Sequence, residues 1–470
     1  MDDRAPLVRG KGRTGKLLRA AGMRLCVLPL TALCVLATTG YTIHYAGAVA
    51  FGFITMIAQL QLAVPFADLG LGAAVARSVA RAEDQSVRRA EAELLLARTA
   101  RLLAVIGAAG AAGAVLLGLG GVWSSLLEVP DAAGRHLDTA VTLVLVLFLL
   151  SLPLGLSERV LIGTDRAGLL IVLGAIPAAG NLGYVLAAGA LGLSPAWLVM
   201  GLPLGTLVFL LACSWAAWGN PSTRFCTVSV VWSSGRSRPD GLRLSTLSLL
   251  QGGVPVLLAT AGLVLAEQHG RFVLNQISEP ETVSRYALAL QLHMPVHSVL
   301  YMAAAVLWPR FASRPERGLW IRSNGVLVLL GCCAAVGYAV VAAPVADLIS
   351  GGAISLPWPL VVGFSGLLIV QSAHLAQMNL LTDRQGFRMQ AQMNLCLLAL
   401  AVPLTVLLHT WLESSWPGSG LGAAAPALGL SAAVLAAQVL PGLLLASRRI
   451  SRVPEASLPS SSPPSERSMT

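Results

Sequence analysis

Charge is what this sequence has least of: Asp, Glu, Lys and Arg make up 11% of its 470 residues, where soluble globular chains carry about 25%. That shortage excludes a cytosolic enzyme, and a hydrophobic fraction of 56% excludes a disordered scaffold. Cysteine is sparse as well. None of the seven (Cys26, Cys34, Cys213, Cys226, Cys332, Cys333, Cys396) forms a CxxC pair or a zinc spacing, so a disulfide module and a zinc domain are excluded. Most sit in apolar runs and read as small packing residues. There is no Walker A loop for ATP and no GxSxG nucleophile turn. The outer carboxylates (Glu128, Asp131, Asp138, Glu279, Glu281, Asp347, Glu413) fall on short loops, which leaves no acidic catalytic domain. Lysine is almost missing, with only Lys11 and Lys16 against thirty arginines.

What the chain does have is long apolar runs, with a mean hydropathy of +0.74. A hydrocarbon core needs about 20 apolar residues per helix. By that rule the sequence predicts twelve spans, at 25–45, 48–67, 102–123, 139–157, 169–191, 197–218, 245–266, 286–308, 324–345, 358–380, 391–411 and 422–446. Their internal Gly and Pro are tolerable because neighbouring helices re-satisfy freed backbone groups. Alternation of the β-barrel kind is absent, so the predicted fold class is all-α, a polytopic helical bundle. The basic stretch before residue 25 has the look of a signal peptide. The apolar run behind it lacks a small-residue cleavage site, and so reads as a retained first span.

The net charge of +10 is explained by topology. Of the 32 basic residues, 29 fall in the N-terminal segment and alternate loops, while the opposite loops hold only Arg135, Arg271 and Arg285. Positive residues stay on the cytoplasmic side, so both termini are predicted to be cytoplasmic. The organisation that follows is a basic tail (1–24), a six-helix unit (25–218), a connector (219–244), a second six-helix unit (245–446) and a Ser/Pro-rich disordered tail (447–470). A short internal echo supports two repeats. Thr164-Asp165-Arg166-Ala167-Gly168 and Thr382-Asp383-Arg384-Gln385-Gly386 lie 218 residues apart, each after the fourth span of its half. Parallel repeats about an axis normal to the membrane are a transporter arrangement, with the path between them.

Several polar groups inside or beside the spans are candidates for that path. Gln59 and Gln61 precede Asp68-Leu69-Gly70-Leu71-Gly72, with Arg77 and Arg81 one turn apart behind them. An acid at the membrane edge is costly unless paired or hydrated, and the glycines permit a tight turn. The same pattern also fits a plain positive-inside loop. Glu267, His269 and Arg271 fall near the outer end of span seven, where Glu267 and Arg271 can pair along one helix face. Arg271 and Arg285 are either phosphate ligands or solvated caps. His293 and His297 flank Pro295 at a spacing that puts both imidazoles on one face. They read as polar lining, as a protonatable pair or as metal ligands, although Met294 stands where a zinc protease needs its glutamate. Further amides and imidazoles (His44, Asn181, Gln251, Gln291, Gln371, His374, Gln377, Asn379, Asn394) either join helices or offer donors and acceptors to a hydroxylated ligand.

The motifs also carry a family likeness. Phe51-Gly52-Phe53-Ile54 leading to Asp68-Leu69-Gly70-Leu71 and Arg77 resembles the polysaccharide-export family. So do Arg271-Phe272-Val273-Leu274-Asn275, Val283-Ser284-Arg285-Tyr286-Ala287-Leu288-Ala289-Leu290-Gln291 before Trp308-Pro309, and the polar turn Asp383–Gln390. That family includes the O-antigen flippases of the multidrug/oligosaccharidyl-lipid/polysaccharide exporter superfamily. One departure is that Gly270 stands where relatives often carry an acid before the arginine. The resemblance implies a bacterial inner-membrane flippase of undecaprenyl-diphosphate-linked oligosaccharides for O-antigen, capsule or exopolysaccharide, with a MATE-like V of two six-helix bundles. It implies no cofactor and no enzymatic activity, coupling to H+ or Na+, a monomer, and a glycan polymerase with its chain-length machinery as partners. Its expected substrate path takes in Gln59, Gln61, Asp68, Arg77, Arg271, Arg285, Gln291, His293, His297, Gln371, Gln377 and Asn379. A multidrug exporter of the same superfamily, a sugar transporter of the major facilitator type and a membrane polymerase or acyltransferase are the alternatives.

Overall fold

The computed structural model describes residues 10–58, 72–81, 86–123, 136–164, 166–218, 246–305, 307, 311, 316–381, 384–417 and 419–451. Everything regular among them is helical, as the apolar runs require where the solvent cannot hydrogen-bond a backbone. In chain order the helices are α1 (Gly10–Ala46), α2 (Ala48–Ala58), α3 (Gly72–Arg81), α4 (Ser86–Leu119), α5 (Leu137–Gly163), α6 (Gly168–Ala190), α7 (Pro195–Ala217), α8 (Thr246–Ile277), α9 (Pro280–Ala305), α10 (Arg317–Ser350), α11 (Trp358–Leu380), α12 (Arg384–Ser415) and α13 (Leu421–Ser451). Nine of these, among the described residues, are long and apolar enough to cross a membrane, and α2 is a shorter apolar helix. Together with α8 and α9 they account for each of the twelve expected spans, and α3 is an addition between the second and third.

Helix boundaries differ from the apolar runs in three informative ways. First, α4 begins at Ser86 and α1 at Gly10, well before their apolar stretches, because a helix can project past the hydrocarbon while hydropathy registers only the immersed part. Second, α6 is interrupted at Gly174-Ala175 and α5 tightens into a 3-10 turn over Leu152–Gly155 next to Pro153, where proline removes a backbone donor. Third, α8 continues through Glu267, His269 and Arg271 to Ile277, so these residues lie inside a helix and not at its cap. The connector 219–244, most of the tail 447–470 and the Gln59–Gly70 stretch fall outside the described residues, as do Asp165, Thr382 and Asp383 of the internal echo.

The helices pack on small residues. Helix α8 runs against α12, α10 against α11, α12 against α13, α6 against α7, and α4 against α5. At Gly262 on α8 a Cβ would stand 2.8 Å from the carbonyl carbon of Asn394 on α12, and at Gly205 on α7 it would stand 2.6 Å from the Pro177 carbonyl oxygen on α6. Close backbone approach of this kind replaces the hydrophobic drive that lipid does not supply. Since backbone cannot swing aside, Gly262→Ala is expected to lower stability by about 1–3 kcal/mol. Thermal unfolding of detergent-solubilised protein checks it, and an unchanged Tm refutes the contact.

The two halves of the chain are built differently. From α8 to α13 one continuous apolar core runs through Tyr286, Leu290, Phe364, Leu368, Leu397 and Ala433. Among the described residues the first half has three separate cores, around Leu103 and Val160, around Val144 and Val199, and around Val185 and Leu198. Two first-half side chains, Ile43 and Phe51, belong to the second half's core. They mark where the halves meet, in the contacts of α2 with α9 and of α1 with α10. Gly52 brings α2 against Ser284, where a Cβ would lie 2.6 Å from Oγ, and Gly40 brings α1 against the Ile349 backbone. These contacts cluster at the end of the molecule that carries the turns at Gly47 (φ 85°), Ser278-Glu279 and Gly351 (φ 61°). The chain reverses at Gly47 in a conformation that L side chains resist.

Candidate substrate cavity

Away from that closed end the halves part around a cavity of about 370 Å³. Helices α1, α2, α6 and α7 form one wall, and α8 and α9 form the other. Along α1 the lining runs from Leu28 to Thr42, a rise of roughly 20 Å at 1.5 Å per residue. Most of the surface is apolar, from Val35, Phe51, Ile54, Val185, Leu198, Val199, Met294 and similar side chains. Its polar groups are Thr31, Thr38, Thr39, Thr42, Thr55, Asn181, Ser298, Gln291 and Arg271. Among the described lining residues Arg271 is the one charged group, and no carboxylate faces it.

Arg271 is held at this depth by its neighbours. It is 3% exposed, its Nη1 donates to the Thr55 carbonyl across the interface at 3.3 Å, and its Nε has no partner. The Gln291 Oε1 is likewise unpartnered. A buried guanidinium with an unused donor is expensive, and structures keep such groups where something else completes them. The neighbouring Gly270 is explained here too. A side chain at that position would run into Tyr286, with Cζ at 2.6 Å, and into Pro426, with Cβ at 2.7 Å. The acid that the family resemblance leads one to expect there has no room.

A second cavity, of about 260 Å³, lies wholly within the second half, with Glu267, His297, Tyr301, Gln371, His374 and Gln438 among mostly apolar lining side chains. His293 is fully buried beside it and donates from Nε2 to Gln371 Oε1 at 3.1 Å. The His293 and His297 rings stack at 5.9 Å, 15° from parallel, as their spacing around Pro295 predicts. Gln438 donates to Asn394 Oδ1 at 2.8 Å, and Asn394 donates to the Ala259 carbonyl on α8 at 2.7 Å. Gln438 itself sits in a π-helical turn, Leu435–Val439, a local widening that is frequent at functional sites. His269 ties α8 to α12 separately, with Nε2 2.8 Å from Thr405 Oγ1 and Nδ1 2.6 Å from the Ala266 carbonyl. The described residues contain no group of three or more His, Cys, Asp or Glu arranged to hold a metal ion.

The expected path residues are thus distributed unevenly. Arg271 and Gln291 line the central cavity, whereas His297 and Gln371 line the second one with His293 beside it. Glu267 and Arg271, expected to pair, serve different cavities, and no ion pair joins them. Arg285 lines neither cavity. It is at the closed end, pairing with Glu281 at 3.9 Å, where the turn into α9 leaves it partly in solvent. Gln377 and Asn379 line neither cavity. The first donates to Asn324 Oδ1 at 3.4 Å and the second to its own helix at Leu375, at 2.9 Å. Gln59, Gln61 and Asp68 lie outside the described residues, and of Arg77 only the helical backbone is described. The residues that sequence reasoning passed over are the threonines. Thr31, Thr38 and Thr42 recur at i, i+7, i+11, one face of a helix, and that spacing was the available signal.

Solved structures share this architecture. The inward-facing conformation of a multidrug resistance MATE family transporter of the MOP superfamily matches with a TM-score of 0.66 at 12% identity, over 93% of this chain and 100% of that one. The chain shares the fold of that structure. The outward-facing conformation of a MATE family transporter of that superfamily matches at 0.62, with 13% identity over 93% and 95%. The lipid II flippase MurJ, in an inward closed conformation, matches at 0.64, with 10% identity over 91% and 87%. No protein-family model and no curated protein matches the sequence. In this fold the central cavity lies between the halves and the second cavity within the C-terminal half.

Proposed function

We propose that the protein is a flippase of the bacterial inner membrane that carries a prenyl-phosphate-linked oligosaccharide between leaflets for surface-glycan synthesis. The observation that carries this reading is the central cavity's charge. One buried, under-bonded arginine, with no carboxylate among the described lining residues, attracts an anion and repels the cations that a cation-selective drug pump takes. A lipid-linked sugar has a polar head that must cross about 30 Å of hydrocarbon, where an exposed charge costs several kcal/mol. A hydrated cavity beside Arg271 removes most of that cost while the prenyl tail stays in the bilayer.

The charge partition of the loops puts the closed end outside, so this conformer opens to the cytoplasm, where lipid-linked glycans are assembled. Bias between the two states requires a ligand that binds them unequally. In this reading a proton or sodium ion acts at the second cavity, around Glu267, His297 and His374. The protein acts as a monomer without cofactor or covalent chemistry, and its product passes to a polymerase with chain-length machinery on the outer side. Purified protein in vesicles is expected to expose a fluorescent prenyl-diphosphate-linked glycan to an external quencher at least tenfold faster than empty vesicles. Equal rates, or faster movement of an amphipathic cationic dye, would overturn the assignment.

A further inference from the structure

The central cavity is polarised, and its two walls call for different parts of one ligand. Across the interface, the α8–α9 wall offers a donor, the unpartnered Nε of Arg271, 3% exposed. Because Nη1 is already bonded to the Thr55 carbonyl, the edge formed by Nε and Nη2 is the one left for a ligand. That edge matches a single phosphoryl group bidentately. The α1–α2 wall offers the reverse. Thr31, Thr38, Thr39 and Thr55 each donate their hydroxyl proton to a carbonyl of their own helix, those of Leu28, Cys34, Val35 and Gly52, at 2.8 to 2.9 Å. With the proton committed to the backbone, what such a hydroxyl shows the cavity is lone pairs. Four threonines on this wall are therefore acceptors.

We infer that the cavity takes a lipid head in a fixed orientation, with one phosphoryl group on Arg271 and the hydroxyls of the first sugar donating to the threonine face of α1. This rests on the central cavity being the path of a lipid-linked glycan and adds to it which half of the protein reads which part. The anion is recognised by the C-terminal half and the sugar by the N-terminal half. Head recognition therefore spans the interface that must open and close. A sugar-free prenyl phosphate engages only one wall, whereas a glycosylated one bridges both and favours the conformer in which they stand close.

The test uses the full-length protein in detergent and three probes: a short-chain prenyl alcohol, the prenyl phosphate, and the same prenyl phosphate carrying one hexose. Replacing Thr31 and Thr38 together with valine keeps side-chain shape and removes two of these acceptor hydroxyls. Affinity for the hexosyl lipid is expected to fall about tenfold, from the loss of two hydrogen bonds, and affinity for the prenyl phosphate to stay within twofold. The Thr31→Ser, Thr38→Ser variant restores hydroxyls and is expected to restore hexosyl-lipid binding. Arg271→Gln is expected to weaken both phosphorylated lipids at least tenfold and to leave the alcohol unchanged. If the valine variant weakens both phosphorylated lipids alike, or neither, the proposed orientation is overturned although the flippase reading stands. If wild-type protein binds the phosphorylated lipids no better than the alcohol, both fall together.

Discussion

Arg271→Met is expected to leave the protein folded, with a Tm unchanged or raised, while glycan translocation drops at least a hundredfold. The two halves of that result have separate causes. In the fold Arg271 makes one cross-interface bond, to the Thr55 carbonyl, and carries an unused donor. Removing an uncompensated buried charge in favour of an apolar chain of similar length gains what desolvation had cost. Replacement of buried ionic groups by apolar ones has been neutral to stabilising by about 1–4 kcal/mol. Transport loses the one described cation in the cavity, so the ligand's phosphoryl group enters unpaired and its several kcal/mol of desolvation return. A factor of one hundred corresponds to about 2.7 kcal/mol, within what a charge-assisted hydrogen bond and its desolvation supply. Unfolding curves and vesicle assays on the same preparation separate the effects. A variant that loses stability and transport together marks Arg271 as a structural post instead.

That dissociation also explains why the arginine's role was only half legible in the sequence. Hydropathy located the spans well, because a run of about twenty apolar residues has few alternatives to a membrane helix. The same measure ended span seven at residue 266, since Glu267, Gln268, His269 and Arg271 look like the start of a loop. In the fold these groups are internal. Gln268, His269 and Arg271 are all under 6% exposed, and α8 runs on to Ile277. Polarity marks either an exit from the membrane or a protected interior, and a single sequence does not say which. Arg285 shows the converse. It shares the charge and outer-loop position of Arg271, but stands one turn into α9 beside Glu281 and reaches neither cavity. The HxxxH pair was readable because helical spacing alone stacks the rings. Its partner Gln371, 78 residues away, was recognisable only as a polar residue of its own span. The threonines went unremarked because hydropathy treats them as nearly neutral, although their distribution over α1 is strongly one-sided.

The asymmetry of the two cores bears on motion. Among the described residues the C-terminal half has a single core, whereas the N-terminal half distributes its core over three patches. Movement between conformers is expected to leave α8–α13 internally unchanged and to be taken up in α1 and α2, whose residues Ile43 and Phe51 leave one core for another environment when the closed end opens. Rocking of packed units about a discrete interface is a two-state event, because packed surfaces interlock or separate with little in between.

Gly52→Ala is expected to pry that interface open, and Ser284→Gly in the same molecule to let it shut again. A Cβ at position 52 would stand 2.6 Å from Ser284 Oγ, 3.3 Å from its backbone nitrogen and 3.4 Å from its Cα. The hydroxyl already bonds its own helix at Pro280, and behind it is the backbone of α9, packed into the second half's core. Since Gly52 sits in the interface while Ile54 and Ile57 hold α2 to the cores of its own half, the clash falls on the closed conformer and not on folding. An overpacking penalty of about 1–3 kcal/mol shifts the balance of conformers by a factor of roughly 5 to 150. The measurement is maleimide labelling from the extracellular side of a cysteine placed at Thr42, in a background lacking the native cysteines. Gly52→Ala should speed labelling at least fivefold and slow translocation by a similar factor. Ser284→Gly alone should do little, and the double variant should return close to the parent on both measures. Additive effects of the two changes, in place of this compensation, would mean that α2 and α9 do not form the closing contact.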